Sequence, residues 1–178
     1  MTREQDVTAA AEQGADLIGF ILVADSPRGI DFDRGRELAA GAPDSVRTVA
    51  VYAGLEVDAG VLDHFDLVQV YGLPESMERT IVGFRGAPRP VPDDVPVLLD
   101  RARDSTPGPG ALRDHWRAAA AVRGRVILAG SLDPDNVAEA VRTARPWAVD
   151  TARGVEAEPG VKDHERMSRF IRNAKGVA

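Results

Sequence analysis

The stretch Arg125-Val126-Ile127-Leu128-Ala129-Gly130-Ser131-Leu132-Asp133-Pro134-Asp135-Asn136-Val137, with Trp147-Ala148-Val149-Asp150-Thr151-Ala152-Arg153-Gly154-Val155-Glu156 ten residues on, decides how the chain reads. Arg125–Ala129 is a short apolar run of the kind a strand buried on both faces requires. A glycine turn follows. Asp133 and Pro134 then supply a capping carboxylate and an imino acid whose missing N–H costs nothing at the first position of a helix. The amphipathic run Pro134–Thr143 leads to a second strand, Trp147–Thr151, and a second glycine turn. Strand, turn, helix, strand, turn is a βαβ unit, and such units build parallel sheets.

The same alternation recurs along the chain. Further strands are expected at Asp16–Val23, Val46–Ala53, Asp66–Tyr71 and Val95–Asp100. Helical patterns fall at Arg3–Gln13, Asp33–Ala40, Val57–His64, Ala111–Val122 and Asp163–Ala174. Thr2 and Gln5 have the spacing of a capping box ahead of the first helix. Asp163 is placed to cap the last helix, and Gly176 to stop it. The segment Leu73–Asp94 is short and proline-rich, with room for a brief helix near Glu75–Arg79 and a weak strand near Thr80–Phe84. Counting that strand, the sequence predicts seven, in one domain spanning residues 1–178. Periodicity alone leaves an eight-stranded barrel and an open doubly wound sheet both available.

Composition narrows the function. With 22 Lys+Arg against 28 Asp+Glu, the net charge is −6, which argues against a general binder of nucleic acid or anionic membrane. The chain has no cysteine, so disulfides, thiolate metal sites and a cysteine nucleophile are excluded within it. It offers no apolar run long enough to span a membrane. Acids near the start, Glu4 and Asp6, do not suit a signal peptide, and a cytoplasmic location is expected.

In either architecture ligands gather at the C-terminal ends of the strands. Ser26-Pro27-Arg28-Gly29 follows the first of the strands above; Arg28 can clamp a carboxylate or phosphate by a bidentate contact, or simply pair with Asp25 or Asp31. Gln69 lies inside the third. Asp100 ends a very apolar run, where a carboxylate is costly to ionise and so suits a general acid, or else caps the next loop. Gly130, Ser131, Ala152, Arg153 and Gly154 lie in turns after the last two strands. Small residues there let backbone N–H groups approach phosphate oxygens, although a glycine after a strand also makes an ordinary turn. His64, His115 and His164 share no metal-ligand spacing and read as surface residues.

Taken in order, Gly14-Ala15-Asp16-Leu17-Ile18-Gly19-Phe20, Ser26-Pro27-Arg28, Val68-Gln69-Val70, Leu98-Leu99-Asp100, Gly130-Ser131-Leu132-Asp133-Pro134-Asp135-Asn136-Val137 and Ala148-Val149-Asp150 with Gly154-Val155-Glu156, Pro159-Gly160 and Lys162-Asp163-His164 make the chain resemble phosphoribosylanthranilate isomerases. The resemblance implies a (β/α)8 TIM barrel, here lacking its first strand and with a shortened middle βα unit. It implies an Amadori rearrangement of N-(5′-phosphoribosyl)anthranilate in tryptophan biosynthesis, with no cofactor and no metal. Asp100 matches the family's general acid and Arg28 a substrate-contacting arginine. Gln69, Gly130-Ser131 and Ala152-Arg153-Gly154 complete the expected substrate-binding set. The partner implied is a small phosphoribosyl substrate.

The chain departs from the family pattern at four places. The family's general base is a cysteine in a Lys-x-Cys-Gly motif ending the first strand. Met1-Thr2-Arg3 matches the residues that often follow it, so an upstream strand carrying the base is expected. Tyr71 stands where a histidine is usual, and Arg153 where a small residue is usual. Ser105-Thr106-Pro107-Gly108-Pro109-Gly110 replaces the family's glycine-rich loop after the aspartate.

Overall fold

The computed structural model describes residues 1–101 and 108–177. Its order is α1 (Glu4–Glu12), β1 (Leu17–Ile21), α2 (Phe32–Ala40), β2 (Arg47–Val51), β3 (Leu67–Tyr71), β4 (Thr80–Arg85), β5 (Val97–Asp100), α3 (Pro109–Ala120), β6 (Val126–Leu128), α4 (Val137–Ala144), β7 (Ala148–Val149), β8 (Glu156–Glu158), β9 (Val161–Lys162) and α5 (His164–Lys175). Strands β1 to β7 form one sheet in sequential order, every pair parallel. The sheet curls, so its two faces have different fates.

Alternation along each strand sorts the side chains. Outward residues such as Phe20, Ala50, Val68, Val82, Leu99 and Leu128 pack with Val7, Leu38, Trp116, Ala140 and Phe170 of the helices. Inward residues Val49, Leu67, Ile81, Leu98 and Ile127 form a second apolar cluster inside the curl. Both sets are buried, which is why Val97-Leu98-Leu99 is apolar without a break. Each such aliphatic side chain contributes about 1.5–3 kcal/mol relative to exposure. One step further along, the inward positions turn polar: Gln69 and Tyr71 on β3, Arg85 on β4, Asp100 on β5. The strand register fixes their neighbours, with Tyr71 opposite Gly83 and Arg85 opposite Asp100.

Several local expectations need correction. Thr2 and Gln5 form no capping box. Arg3 is the N-cap of α1, with no side-chain cap bond, and the Thr2 hydroxyl donates to the Gly160 carbonyl instead. The helix expected at Val57–His64 shrinks to one 3-10 turn at Val61–Asp63, because Asp58 is engaged by the Tyr52 hydroxyl at 2.8 Å. No helix forms at Glu75–Arg79, while the weak strand is the well-buried β4. Helix α4 starts at Val137 rather than Pro134, since the Asp133 carboxylate accepts from the N–H groups of Asp135 and Asn136 and holds them in a turn. Asp163 does cap α5, accepting from Arg166 N at 3.0 Å. The antiparallel pair β8–β9 was not foreseen.

Candidate active site at the C-terminal ends of the strands

The polar inward residues face one cavity of about 720 Å³. Arg28, Gln69, Asp100, Gly130, Ser131, Ala152, Arg153 and Gly154 all line it. The structure thus brings together every site residue expected from sequence. Of the loop Ser105–Gly110, residues 105–107 lie outside the described residues.

Two turns form one wall. After β6, Gly130 (φ 90°) and Ser131 (φ 60°) adopt left-handed conformations, natural for glycine and strained for serine. Asn136 pins this turn, its Nδ2 donating to Ser131 O at 3.0 Å while its Oδ1 accepts from Asp133 N at 3.0 Å. The turn after β7 is tied to it: Thr151 Oγ1 donates to Leu132 O at 2.7 Å. Gly154 lies so close that a Cβ there would sit 1.9 Å from the Leu132 carbonyl oxygen. Among the described residues, the backbone N–H groups of Gly130, Ser131 and Ala152 donate to no protein acceptor. Backbone amides left free in glycine turns are the kind of group that can receive an anion.

Asp100 sits beside this wall, its Oδ1 accepting from Arg101 N at 2.7 Å and its Oδ2 from the Tyr71 hydroxyl at 3.1 Å. Burial and the Asp100 charge hold the Tyr71 phenol above its ordinary pKa, so it remains a donor. The Asp150 carboxyl follows β7, two strands further on. Burial, then the charge of Asp100, pushes it from 3.8 to about 6. Its solvent-accessible surface is exposure to the cavity it lines.

Arg28 pairs with neither Asp25 nor Asp31. Its Nε and Nη2 fork onto Glu156, at 2.8 and 2.6 Å to Oε2, because the β8–β9 pair carries Glu156 back over the cavity. Lys162 adds a third contact to Glu156 at 3.1 Å. Burial alone would raise the Glu156 carboxyl, but these two cations outweigh it and hold it below its usual range. His115 is half-buried rather than free on the surface, its Nε2 donating to Ala129 O at 3.0 Å, and His164 Nε2 meets Asp6 at 2.8 Å.

Sequence reasoning marked Tyr71 as a departure from the family pattern but did not name Arg85, Asp150, Glu156 or Lys162 as site residues, yet all five line the cavity. The strand ends were the available signal for the first three: period-two counting from Leu67, Ile81 and Ala148 puts each on the inner face. Glu156 and Lys162 arrive through the β8–β9 pair, which has no comparable pattern.

A curled parallel sheet with its polar residues at the carboxyl ends of the strands defines a protein of the βα-barrel class. Within that class, the chain belongs to the N-(5′-phosphoribosyl)anthranilate isomerase family, whose family model matches residues 1–173. It is 36% identical over 194 residues to the N-(5′-phosphoribosyl)anthranilate isomerase of Geobacter sulfurreducens, covering 99% of this chain and 96% of that one. Among solved structures it resembles TrpF from Jonesia denitrificans, with a TM-score of 0.80, 29% identity and coverage of 99% and 94%. It also resembles a phosphoribosyl anthranilate isomerase in complex with reduced 1-(o-carboxyphenylamino)-1-deoxyribulose 5-phosphate, with a TM-score of 0.76, 29% identity and coverage of 99% and 95%.

Proposed function

We propose that the protein is a phosphoribosylanthranilate isomerase, converting N-(5′-phosphoribosyl)anthranilate to 1-(2-carboxyphenylamino)-1-deoxyribulose 5-phosphate. The observation that carries this reading is the pair of clamped turns with free amides beside Asp100, in a chain that matches this family along nearly its whole length. Gly130, Ser131, Ala152 and Gly154 receive the phosphate, with Arg153 adding a charge-assisted contact. Gln69 and the Nη1 of Arg28, left over from its fork on Glu156, meet the polar groups of the substrate.

Asp100 in its acid form protonates the ring oxygen of the furanose, and the C1–O bond opens as the amine nitrogen lone pair forms a protonated imine. A base then removes the C2 proton, and the C2–H electrons neutralise the imine as an enolamine. Tautomerisation of the enolamine yields the ketose. The family resemblance assigns the base to a cysteine, and the 178 residues contain none. The cavity continues as a slot between β7 and β1, lined by Ala10, Val141, Met167, Phe170 and Ile171. We read this as the berth of a strand preceding Met1, which supplies the base and completes an eight-stranded, single-domain barrel.

No helix of the described residues is long and apolar enough to cross a membrane, and a cytoplasmic biosynthetic role fits the reading. The test is turnover of N-(5′-phosphoribosyl)anthranilate, formed from ribose 5-phosphate and anthranilate, by the protein with and without the codons in frame before Met1. Turnover that depends on those codons supports the isomerase. A stop codon directly upstream, with binding of the product analogue and no turnover, favours a phosphosugar-binding homologue, the reading the missing cysteine also allows.

A further inference from the structure

Glu156 and Lys162 have no part in the chemistry above, yet both line the cavity with side chains only 5% and 8% exposed. Their hairpin lies at the open side of the sheet, whose two edges are β1 and β7. Arg28 belongs to the loop after β1 and Ala152 to the turn after β7. Glu156 takes the fork of Arg28, while Lys162 Nζ donates to Glu156 Oε1 at 3.1 Å and to the Ala152 carbonyl at 2.9 Å. One chain of charged hydrogen bonds, Arg28–Glu156–Lys162–Ala152, thus joins the two edges at the mouth of the cavity. The lysine is fixed at its backbone as well. Its N–H donates at 3.2 Å to Asp6, a fully buried carboxylate of α1, and the Thr2 hydroxyl holds the hairpin turn through Gly160 O.

The grip on Ala152 acts on the phosphate turn directly. The peptide joining Ala152 to Arg153 is trans, so its N–H points away from the carbonyl that Lys162 holds. Among the described residues, that Arg153 N–H donates to no protein acceptor. We propose that Lys162 is a positioning residue for the phosphate turn, aiming the Arg153 N–H at a phosphate oxygen, and that Glu156 is the hub that keeps the lysine in place. This rests on the isomerase reading above and adds to it the residues that set the phosphate turn without touching phosphate. A lysine stem loses much rotamer freedom when its ammonium must hold one carbonyl. Glu156 removes that freedom before ligand arrives, and the fork of Arg28 fixes Glu156 in turn. Three ions are a costly way to fasten a hairpin, since apolar side chains of the same volume would hold it as well. What the ions add is direction, at Arg28 on one edge and at Ala152 on the other.

The experiment measures the affinity of inorganic phosphate by its displacement of reduced 1-(o-carboxyphenylamino)-1-deoxyribulose 5-phosphate, followed by fluorescence. Lys162→Met is expected to weaken phosphate about 10-fold. Lys162→Gln keeps an N–H for the Ala152 carbonyl and should recover part of that loss. Both variants break the ion pair with Glu156 and should lower the melting temperature alike. A purely structural role, or a direct charge contact of Lys162 with phosphate, therefore predicts equal phosphate losses in the two, and that result overturns the inference. Glu156→Gln should weaken phosphate about 3-fold. Glu156→Gln combined with Lys162→Met should bind phosphate no worse than Lys162→Met alone, because the hub acts only through the lysine. Unchanged phosphate affinity in Glu156→Gln, or losses that multiply in the double variant, also overturn the inference and leave the isomerase reading standing. Should Lys162→Met fail to fold, Lys162→Gln takes its place in the double variant with the same expectation. Failure of the unmodified protein to bind either phosphate or the analogue overturns the isomerase reading and this inference together.

Discussion

The two halves of the barrel wall are built differently. Strands β5, β6 and β7 are backed by α3, α4 and α5, whereas β2, β3 and β4 are joined by loops and a single 3-10 turn among the described residues. In the second half, loop residues such as Leu62, Leu73, Met77 and Val91 cover what helices would otherwise cover. The halves also present different groups to the cavity. The helix-backed half presents main-chain amides from Gly130, Ser131 and Ala152, which must be held by a clamp of backbone and Asn136 contacts. The loop-backed half presents side chains, Gln69, Tyr71 and Arg85, whose Cβ positions the strands themselves fix. Main-chain amides keep their direction only while neighbouring turns hold them, whereas side chains on a strand are aimed by the strand itself.

The strongest way to break this division is at its boundary. Asp100→Asn is expected to lower kcat by about 10²- to 10⁴-fold while affinity for the reduced product analogue stays within a few-fold. A large loss of affinity instead would show that Asp100 serves the anchor rather than the chemistry. The next effect tests the clamp. Gly154→Ala forces a Cβ against the Leu132 carbonyl, and phosphate-ligand affinity should fall by about 10- to 100-fold. Gly54 in the loop-backed half has nothing within 4 Å of the corresponding position, so Gly54→Ala should leave binding and melting unchanged.

How far the sequence could be read follows the same division. The strands were legible nearly end to end, because burial on both faces leaves unbroken apolar runs such as Val97-Leu98-Leu99. Helices were legible where an amphipathic stripe packs on the sheet, and illegible at Val57–His64, where Asp58 engages Tyr52 instead. The anchor turns were visible from their glycines. The side-chain half was legible only in part: Gln69 and Tyr71 could be placed at a strand end, but Arg85 could not, because it meets Tyr71 only through the register of β3 on β4 and the empty place at Gly83. Glu156 was hidden for a similar reason: its bond to Arg28 spans 128 residues.

Two smaller effects sharpen the comparison. Tyr71→Phe removes the hydroxyl from Asp100 and keeps the ring under Arg85, so kcat should fall about 3- to 10-fold with affinity for the reduced product analogue intact. A loss of affinity instead would mean that the phenol holds the ligand rather than Asp100. The smallest effect concerns pH. The Asp150 carboxyl is raised from 3.8 to about 6 by burial and by Asp100, so the folded protein keeps its proton where the unfolded chain has lost it. The stability this contributes is complete below about pH 4 and is lost as the pH climbs through about 6. Asp150→Asn cannot titrate, and its melting temperature relative to the unmodified protein should therefore rise across that window and level off above it. A difference that stays constant from pH 4 to 7 would show that water in the cavity solvates Asp150 fully, and that the helix-backed half holds no acid poised near neutrality.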